Sequence, residues 1–323
     1  MSRQRPRSSK TSPLGSESGE EGPDEDASPP PHIHIGAGPE VIHQRLKRCL
    51  LKIVTFNIGS SSVEKLEWVL QYLAEHDVDI MCLQETKQDT YPSFIYNRGY
   101  QVHTLPCTGR SSGGILTLVR DKWRATQPDT LNGEGDTCWS TVSLGVGCRP
   151  LVVANTYLRG NLSTEELTSS LGAISSRLST LAISKGASKV LVGDLNIDHQ
   201  RVSDRARHQL LQGVLSGLQL VRVDLLPPLD TEPTCFPTQS APRVSGAGRP
   251  SSHIDVLAVE ETLIHSGQWG IDASQHRLPS QVRHLGVDMD IGVGFLSQHK
   301  PVWVVIEVAA RVLPKPSPLR HSL

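Results

Sequence analysis

The chain has 323 residues and a formal net charge of −1, which excludes a globally basic surface, so any contact with nucleic acid must rely on local lysine and arginine side chains. Apolar residues form 37% of the sequence and concentrate between residues 50 and 310, enough for a sizeable core in one domain. The basic start has no apolar segment after it, and no stretch approaches the length of a membrane span. We therefore expect an intracellular protein of the nucleus or cytoplasm, neither secreted nor inserted in a membrane.

Both ends of the sequence have the composition of disordered tails. Residues 1–45 are rich in Ser, Pro, Gly and charge, and 311–323 contain alternating prolines, so neither end can bury enough apolar surface to fold. This leaves one folded domain at 46–310. The acidic, Pro-rich first tail suggests contact with a protein partner without indicating which. The six cysteines form no CxxC pair and are expected as free thiols in a reducing compartment.

Between the tails, short β-branched runs alternate with amphipathic segments, a pattern typical of strands layered with helices. The fold class is therefore α/β. Ser62 is the expected cap of the first helix, and Ser163 with Glu166 has the spacing of a capping box at the start of the second. In chain order we predict a strand at 51–56, a helix at 62–75, strands at 79–84, 114–119 and 151–157, a long helix from 163, a strand at 189–192, a helix at 202–215, and strands at 254–259 and 302–308.

Polar residues adjoin several of these apolar runs directly, most of them at the carboxyl end of a strand. Because rigid strands hold the side chains at their ends in place, we expect these residues to form one site. They supply carboxylates, amides and one imidazole. The set comprises Asn57, Glu85, Asp194, Asn196, Asp255 and His299.

These residue types suit the hydrolysis of a phosphodiester, in which a nucleophile approaches a negatively charged centre and the leaving oxygen is stabilised. Glu85 is the leading ligand for Mg²⁺ or Mn²⁺, and Asn57 either shares that metal or hydrogen-bonds Glu85. Asp194 is placed to orient or deprotonate the attacking water. Asn196 can donate a hydrogen bond to a phosphoryl oxygen without repelling it.

Asp255 and His299 are expected to pair, because a carboxylate fixes the imidazole tautomer and stabilises the imidazolium that a phosphate favours. Taken singly, these residues have ordinary interpretations. The Gly-Asp-x-Asn run at 193–196 is typical of a turn after a strand, and His299 alone is equally typical of a surface or core edge, where we place His253. The ordered set as a whole favours a catalytic site.

Seven short blocks along the chain resemble the endonuclease/exonuclease/phosphatase (DNase I-like) family. The resemblance implies a four-layered α/β/β/α sandwich of two packed mixed sheets flanked by helices. It also implies Asn57 and Glu85 at the metal, Tyr157 on the phosphate, Asp194 and Asn196 at the nucleophile, and Asp255 paired with His299. The blocks are Thr55-Phe56-Asn57-Ile58, Leu83-Gln84-Glu85-Thr86-Lys87, Ser112-Gly113-Gly114-Ile115, Asn155-Thr156-Tyr157, Gly193-Asp194-Leu195-Asn196, Ile254-Asp255 and Ser297-Gln298-His299-Lys300-Pro301-Val302.

One position departs from the family pattern. Members usually carry aspartate directly before the final histidine, where this chain has Gln298. Glutamine keeps a hydrogen-bonding tip at this metal-side position but has no charge, so it attracts a metal less strongly. A catalytically impaired relative that retains nucleic-acid binding is therefore one alternative to an active enzyme.

The neighbourhood of Asp255 separates branches of the family. The Trp-Cys-Asp-Arg block of inositol phosphatases does not precede it, and Ser251-Ser252-His253 stands where abasic-site nucleases carry pocket-forming aromatic residues. The run Glu232-Pro233-Thr234-Cys235-Phe236 with its following loop is instead similar to the endonuclease domains of non-LTR retrotransposons. The resemblance thus indicates DNA nicking, with a phosphatase of a small or lipid phosphate as a further alternative.

Five basic residues are candidates for contact with the DNA backbone. Lys87, Arg110 and Arg159 adjoin the motif blocks at the rim of the predicted site. Arg243 and Arg249 lie in the loop 237–250, whose Pro, Gly and Ser content suits either a surface finger that meets phosphates or an ordinary hairpin excursion.

Overall fold

A computed structural model describes residues 47–107, 113–129, 136–145, 148–226, 233–235, 252–263, 268–271, 297 and 299–310, with backbone alone at 47–49, 268–271 and 307–310. These residues belong to one compact unit, Gln44–Leu323. The predicted tails lie outside the described residues, so the bounds 46–310 of the domain stay a prediction. Outside them too are four predicted site residues, Arg110, Arg243, Arg249 and Gln298.

The described chain forms twelve strands and three α-helices, joined by short 3₁₀ turns. The helices are α1 (Val63–Glu75), α2 (Thr164–Lys185) and α3 (Arg205–Leu218). The strands are β1 (Lys47–Asn57), β2 (Ile80–Gln84), β3 (Tyr100–Leu105), β4 (Ile115–Arg120), β5 (Arg124–Thr126), β6 (Asp136–Ser143), β7 (Leu151–Tyr157), β8 (Ser188–Asp194), β9 (Leu220–Arg222), β10 (Asp255–Glu260), β11 (Gln268–Ile271) and β12 (Val302–Ala310).

The strands form two six-stranded mixed sheets within the described part of the chain. The first has the order β11-β12-β1-β2-β4-β3 and the second the order β5-β6-β7-β8-β10-β9. Each sheet contains one parallel pair, β1 with β2 and β7 with β8, and its other pairs are antiparallel. The two parallel pairs lie near the centres of their sheets, where the chain is buried on both faces.

Alternation of side chains along β1 shows how the layers pack. Leu51 and Ile53 face the core between the two sheets, whereas Val54 and Phe56 face the core that α1 covers. A third core lies between the second sheet and the helices α2 and α3. Because adjacent strand residues point to opposite faces, the order of layers is helix, sheet, sheet, helix. The predicted four-layered α/β sandwich is confirmed.

The predicted helix starts are confirmed by their caps. The Ser62 hydroxyl accepts a hydrogen bond from Lys65 N at 3.3 Å at the start of α1. In α2 the Ser163 hydroxyl accepts from Glu166 N at 3.2 Å, and the Glu166 carboxylate accepts from Ser163 N at 2.8 Å, a complete capping box. No described helix is both long enough and apolar enough to cross a membrane.

Two corrections concern predicted elements. The helix predicted at 202–215 begins as the 3₁₀ turn Val202–Asp204, and α3 then runs from Arg205 to Leu218. His253, placed at a surface or core edge, is buried, and its ring packs edge to face on His199 at 4.9 Å. Edge-to-face packing of aromatic rings makes such a position compatible with the interior.

Candidate active site

The two parallel strand pairs bring the predicted site residues to one edge of the sandwich. Asn57 at the end of β1 is in register with Gln84 at the end of β2, and Tyr157 at the end of β7 is in register with Asp194 at the end of β8. Asp255 begins β10 opposite Asp194 in the antiparallel pair. Carboxyl ends of neighbouring parallel strands meet at the same edge, so the fold itself gathers these groups.

Asn57 joins the two sheets at this edge. Its fully buried amide nitrogen donates to Glu85 Oε1 at 2.9 Å and to Asp194 Oδ2 at 2.8 Å. Its carbonyl oxygen accepts from Gly59 N at 2.9 Å, which fixes the orientation of the amide. Of the two roles expected for Asn57, the hydrogen bond to Glu85 is the one observed.

Glu85 has an uncommon backbone conformation. Its φ is +51° and that of Lys87 is +53°, a left-handed region that costs most residues free energy and is found often at functional sites. Lys87 Nζ lies 3.3 Å from Glu85 Oε2 and donates to Gly59 O at 2.9 Å. The segment is held by Gly113 and Gly114, whose carbonyl oxygens accept from Lys87 N and Thr86 N.

Asp194 is held from both sheets. Its Oδ1 accepts from Asn196 N at 2.9 Å, and its Oδ2 accepts from Asn57. Burial raises the pKa of Asp194 to about 7, the charge of Asp255 adds to the rise, and His299 and the hydrogen bonds from Asn57 and Asn196 oppose it. The carboxyl can therefore take up or release a proton near neutral pH.

Asn196 follows Asp194 in a left-handed conformation, with φ +51°. Its side-chain nitrogen donates to Leu158 O at 2.8 Å. A primary amide carries two N–H donors. The contact with Leu158 uses one of them and orients the side chain. The other stays available for the phosphoryl oxygen to which the sequence analysis expects Asn196 to donate.

Asp255 and His299 form the predicted pair. His299 Nδ1 lies 2.8 and 3.0 Å from the two carboxylate oxygens of Asp255, and Nε2 lies 3.9 Å from Asp194 Oδ2. Burial alone lowers the pKa of His299, but Asp255, Cys235 and Asp194 outweigh it and raise that pKa well above the ordinary histidine value. The ring is thus stabilised as an imidazolium between two acidic groups.

The other predicted residues take different positions. Tyr157 is buried, and burial together with Glu85 and Asp194 raises the pKa of its phenol, which keeps it protonated as a donor beside Glu85. Arg159 is exposed and lowers the pKa of Asp136, on which burial has the larger, opposite effect. The edge therefore brings together the predicted residues Asn57, Glu85, Lys87, Tyr157, Asp194, Asn196, Asp255 and His299.

The sequence profile of the endonuclease/exonuclease/phosphatase family matches residues 54–244, more than half of the chain. The chain belongs to that family. Membership identifies it as a hydrolase of the phosphodiesterase class, and the matched span contains Asn57, Glu85, Tyr157, Asp194 and Asn196. No curated protein sequence matches the chain significantly.

Solved structures of several endonuclease/exonuclease/phosphatase proteins are similar to the chain in fold. The endonuclease domain of TRAS1, a telomere-specific non-LTR retrotransposon, is 16% identical, with a TM-score of 0.53 over 81% of this chain and 99% of that one. The AP endonuclease LMAP from Leishmania major is 15% identical, with a TM-score of 0.57 over 81% and 88%. The 3′-5′ exonuclease from Neisseria meningitidis is 18% identical, with a TM-score of 0.56 over 78% and 98%.

Some residues at this family site were not singled out from the sequence. Lys65 Nζ donates to Ile58 O at 2.8 Å, and burial and then the charge of Lys87 lower its pKa. Ser297 Oγ donates to Asn57 O, and Cys235 hydrogen-bonds His299. Lys65 lies on a helix face, where a lysine is usually solvated. Only the structure shows that it lies near the site. Ser297 and Cys235 lie in motif blocks that the sequence analysis identified, so the sequence alone could have pointed to them.

The donor set fits a divalent cation. Asp194, Asp255 and His299 each hold one potential ligand atom, and these atoms all lie within 4.8 Å of one another. His299 could bind a metal only after losing its Nε2 proton, because an imidazolium has no free lone pair. Glu85 adds a carboxylate that is one-fifth exposed and therefore reachable from solvent. Carboxylate oxygens suit Mg²⁺, and an imidazole added to them suits Mn²⁺ as well. Burial is the main cause of the raised pKa of Asp194, and a cation nearby would favour its ionised form.

Proposed function

We propose that this hydrolase is a divalent-metal-dependent DNA endonuclease of the retrotransposon type. The observation that carries the proposal is the single amide of Asn57, which hydrogen-bonds Glu85 in one sheet and Asp194 in the other. It places a carboxylate that can bind a metal and a carboxylate that can take a proton on the two sides of one small space. Hydrolysis of a phosphodiester needs these two functions at that separation.

Asp194 is the proposed base. Hydrogen bonds from Asn196 N and Asn57 Nδ2 fix its orientation, and its pKa of about 7 lets it accept a proton at neutral pH. As the oxygen of the attacking water bonds to phosphorus, one of its protons passes to the Asp194 carboxylate. The bond between phosphorus and the leaving oxygen breaks, and the leaving oxygen takes a proton from solvent water to become a hydroxyl group.

His299, Asn196 and Tyr157 are proposed to bind the phosphate. The imidazolium of His299, held by Asp255, offers its Nε2–H beside Asp194 and neutralises a non-bridging oxygen. The second amide hydrogen of Asn196 is a further donor, and the single O–H of Tyr157, which is donated to Glu85 in the structure, is proposed to turn to the phosphate when substrate binds. Donors that are fixed in advance stabilise the charge that develops in the transition state.

Glu85 is the proposed ligand of Mg²⁺ or Mn²⁺, with the amide of Asn57 beside it. Gln298, which lies outside the described residues, is a further ligand proposed from the sequence. A bound divalent cation supplies charge neutralisation at the phosphate and lowers the pKa of water. The chain's own part is to hold these ligands rigidly before the metal arrives.

DNA is the proposed substrate because cationic side chains line the Glu85 side of the site. Lys87 and Lys65 donate to the neighbouring carbonyl oxygens of Gly59 and Ile58, so two ammonium groups are held close together beside the catalytic edge. Backbone phosphates of a polynucleotide match such a pair. Structures similar to the chain include an AP endonuclease and a retrotransposon endonuclease domain. Arg110, Arg159, Arg243 and Arg249 remain proposed phosphate contacts.

Nicking of supercoiled plasmid by the full chain tests the proposal. With Mg²⁺ or Mn²⁺ we expect conversion to open circles, and none with EDTA. Asp194→Asn keeps the shape of the side chain but removes the base, so nicking should fall to background. The matched control is Asp121→Asn at an exposed position, which should leave the rate unchanged. Equal rates for wild type and Asp194→Asn would refute the mechanism.

Two further arms separate the alternatives. Gln298→Asp restores the charge that the family pattern carries, and activity that appears only in this variant would indicate an impaired, DNA-binding relative. Release of inorganic phosphate from inositol phosphates, without plasmid nicking, would indicate a phosphatase of small or lipid substrates.

A further inference from the structure

Two fully buried amide side chains meet between the sheets, next to the buried hydroxyls of Thr55 and Thr117. Gln84 ends β2 in the first sheet and Asn155 lies in β7 of the second, and both are 0% exposed. Gln84 Nε2 donates to Asn155 Oδ1 at 2.7 Å. The contact therefore joins one sheet directly to the other.

Each amide has further partners that fix it in place. Asn155 Nδ2 lies 3.0 Å from Thr117 Oγ1, 3.2 Å from Leu116 O and 3.4 Å from Leu83 O, all in the first sheet. Gln84 Nε2 also lies 3.0 Å from both Thr55 Oγ1 and Cys82 O. One side chain of the second sheet is thus bound to two strands of the first, β2 and β4.

The amide pair lies directly beneath the catalytic edge. Gln84 precedes Glu85, and Asn155 is two residues before Tyr157, so the side chains of Asn155 and Tyr157 point to the same face of β7. Asn155 is also in register with Val192, two residues before Asp194. The pair therefore links the strand that carries Glu85 to the strands that carry Tyr157 and Asp194.

The stability of the fold does not explain why two amides, rather than two apolar side chains, occupy these positions. Burying a polar pair costs desolvation, and an apolar pair of the same shape can stabilise a protein equally well. The cost is larger here because Gln84 Oε1 accepts no hydrogen bond from the described residues. Hydrogen bonds are directional, however, whereas apolar contacts let two sheets slide over each other. The amides supply what the apolar core cannot, a defined alignment.

We propose that Gln84 and Asn155 are positioning residues that lock the two sheets in the one alignment in which Asn57 reaches both Glu85 and Asp194. The inference rests on the proposed hydrolysis for its kinetic test. It predicts that catalysis depends on the amide pair even where stability does not.

The test replaces both amides together. Gln84→Met with Asn155→Leu removes both amides while keeping their approximate volume. The buried Thr55 and Thr117 hydroxyls each lose one partner, so the urea midpoint should fall modestly while the variant stays folded without urea. Because the sheets are then free to shift, kcat should fall about 10- to 100-fold with KM nearly unchanged. A kcat equal to that of wild type in this folded double variant would overturn the inference.

Ser140→Ala is the matched control. Ser140 also bridges the sheets, through a 2.7 Å hydrogen bond to His103, but it is in register with Val153, four residues before Tyr157. Its loss should lower the urea midpoint and leave kcat unchanged. If kcat instead follows the urea midpoint across both variants, the amides act on stability alone and the inference fails.

Two safeguards keep the outcome decisive. If the double variant does not fold, the near-isosteric Thr117→Val is used instead, because it removes one hydrogen-bonding partner of Asn155. A lower kcat at constant KM in this variant supports the inference. An unchanged kcat overturns it. If the wild type cleaves no phosphodiester, the proposed function fails, and a crystal structure of the double variant decides the inference. Loss of the 2.9 and 2.8 Å contacts of Asn57 with Glu85 and Asp194 supports it; their retention overturns it.

Discussion

Asn57 is held in place by residues of both sheets and by Ser297. Its amide contacts Glu85 and Asp194, and its backbone oxygen accepts from Ser297. A buried donor shared by two carboxylates offsets their mutual repulsion without adding charge. Because the side chain makes both contacts with the carboxylates, its removal should affect chemistry more than folding.

Asn57→Ala should lower kcat/KM by about 100-fold, since Glu85 and Asp194 lose their common donor and the orientation that it imposes. Plasmid nicking at several Mg²⁺ concentrations measures the effect. The exposed Asn161→Ala is the control and should behave as wild type. An Asn57→Ala enzyme with full activity would show that the two carboxylates are positioned by other groups.

His103 connects protonation to stability at a single residue. It is buried between the sheets, its Nδ1 lies 2.7 Å from Ser140 Oγ, and burial lowers its pKa below the ordinary value of 6.5. The unfolded chain therefore binds a proton at higher pH than the folded one. Stability from this residue is present above pH 6.5 and is lost as the pH falls below it.

We expect His103 to lower the free energy of unfolding between pH 7 and pH 5 by up to about 1.4 kcal/mol per pH unit, against the opposite effect of Asp194, whose raised pKa makes the folded chain hold its proton more tightly. Urea denaturation of wild type and His103→Gln at both pH values tests this. The variant should be less stable at pH 7 and should lose less stability on acidification. Identical pH slopes would remove His103 as the cause.

At the scale of elements, the loop that enters β4 determines the shape of the Glu85 segment. Gly114 has φ +79°, and a Cβ there would lie 2.7 Å from Thr86 Oγ1 and 2.9 Å from Lys87 N. Its carbonyl oxygen accepts from Thr86 N. The left-handed conformations of Glu85 and Lys87 are thus supported by a glycine that no other residue can replace without strain.

Gly114→Ala should destabilise the protein by about 1–3 kcal/mol and reduce nicking, because the Glu85 segment must move away from the new methyl group. Gly172→Ala in α2 is the opposite case. Nothing lies within 4 Å of a Cβ there, and alanine in a helix interior should raise stability by about 0.5–1 kcal/mol. Thermal or urea unfolding compares the two, and equal effects of one sign would contradict the packing argument.

At the scale of the whole molecule, the net charge of −1 means that attraction to DNA depends on a few cations near the site. Lys87 stands beside Glu85. Burial, and then the nearby charge of Lys87, lower the pKa of Lys65. Each phosphate contact releases counterions, so the affinity for DNA falls as salt is added.

Lys87→Gln should reduce the slope of log affinity against log salt concentration by about 1, because one phosphate contact is lost. Fluorescence anisotropy with a labelled duplex measures it, in an Asp194→Asn background that prevents cleavage. Lys185→Gln at the exposed end of α2 is the control and should leave the slope unchanged. A slope that is the same for all three proteins would place the DNA elsewhere.

How much of this architecture the sequence predicts depends on where each element lies. The buried strands and their polar ends were predictable, since continuous apolar runs precede Asn57, Glu85 and Asp194. The strands β3, β5, β9 and β11 were missed; each is the outermost strand of its sheet, and β5 is largely exposed. The buried strand β6 was missed as well, because Thr137, Ser140 and Thr141 interrupt its apolar residues. Nor could the contact between Gln84 and Asn155 be predicted, because pairing across two sheets leaves no periodic signal in one chain.

The antiparallel pairing of β1 with β12 has a consequence for synthesis of the protein. Thr55, near the start of the domain, is in register with Val302, close to its end, and His299 lies just before that pairing. A growing chain therefore exposes Glu85 and Asp194 long before their imidazole and the neighbouring strand have left the ribosome. The hydrolase becomes competent only after His299 and β12 have been translated, so a product truncated before His299 would not cut.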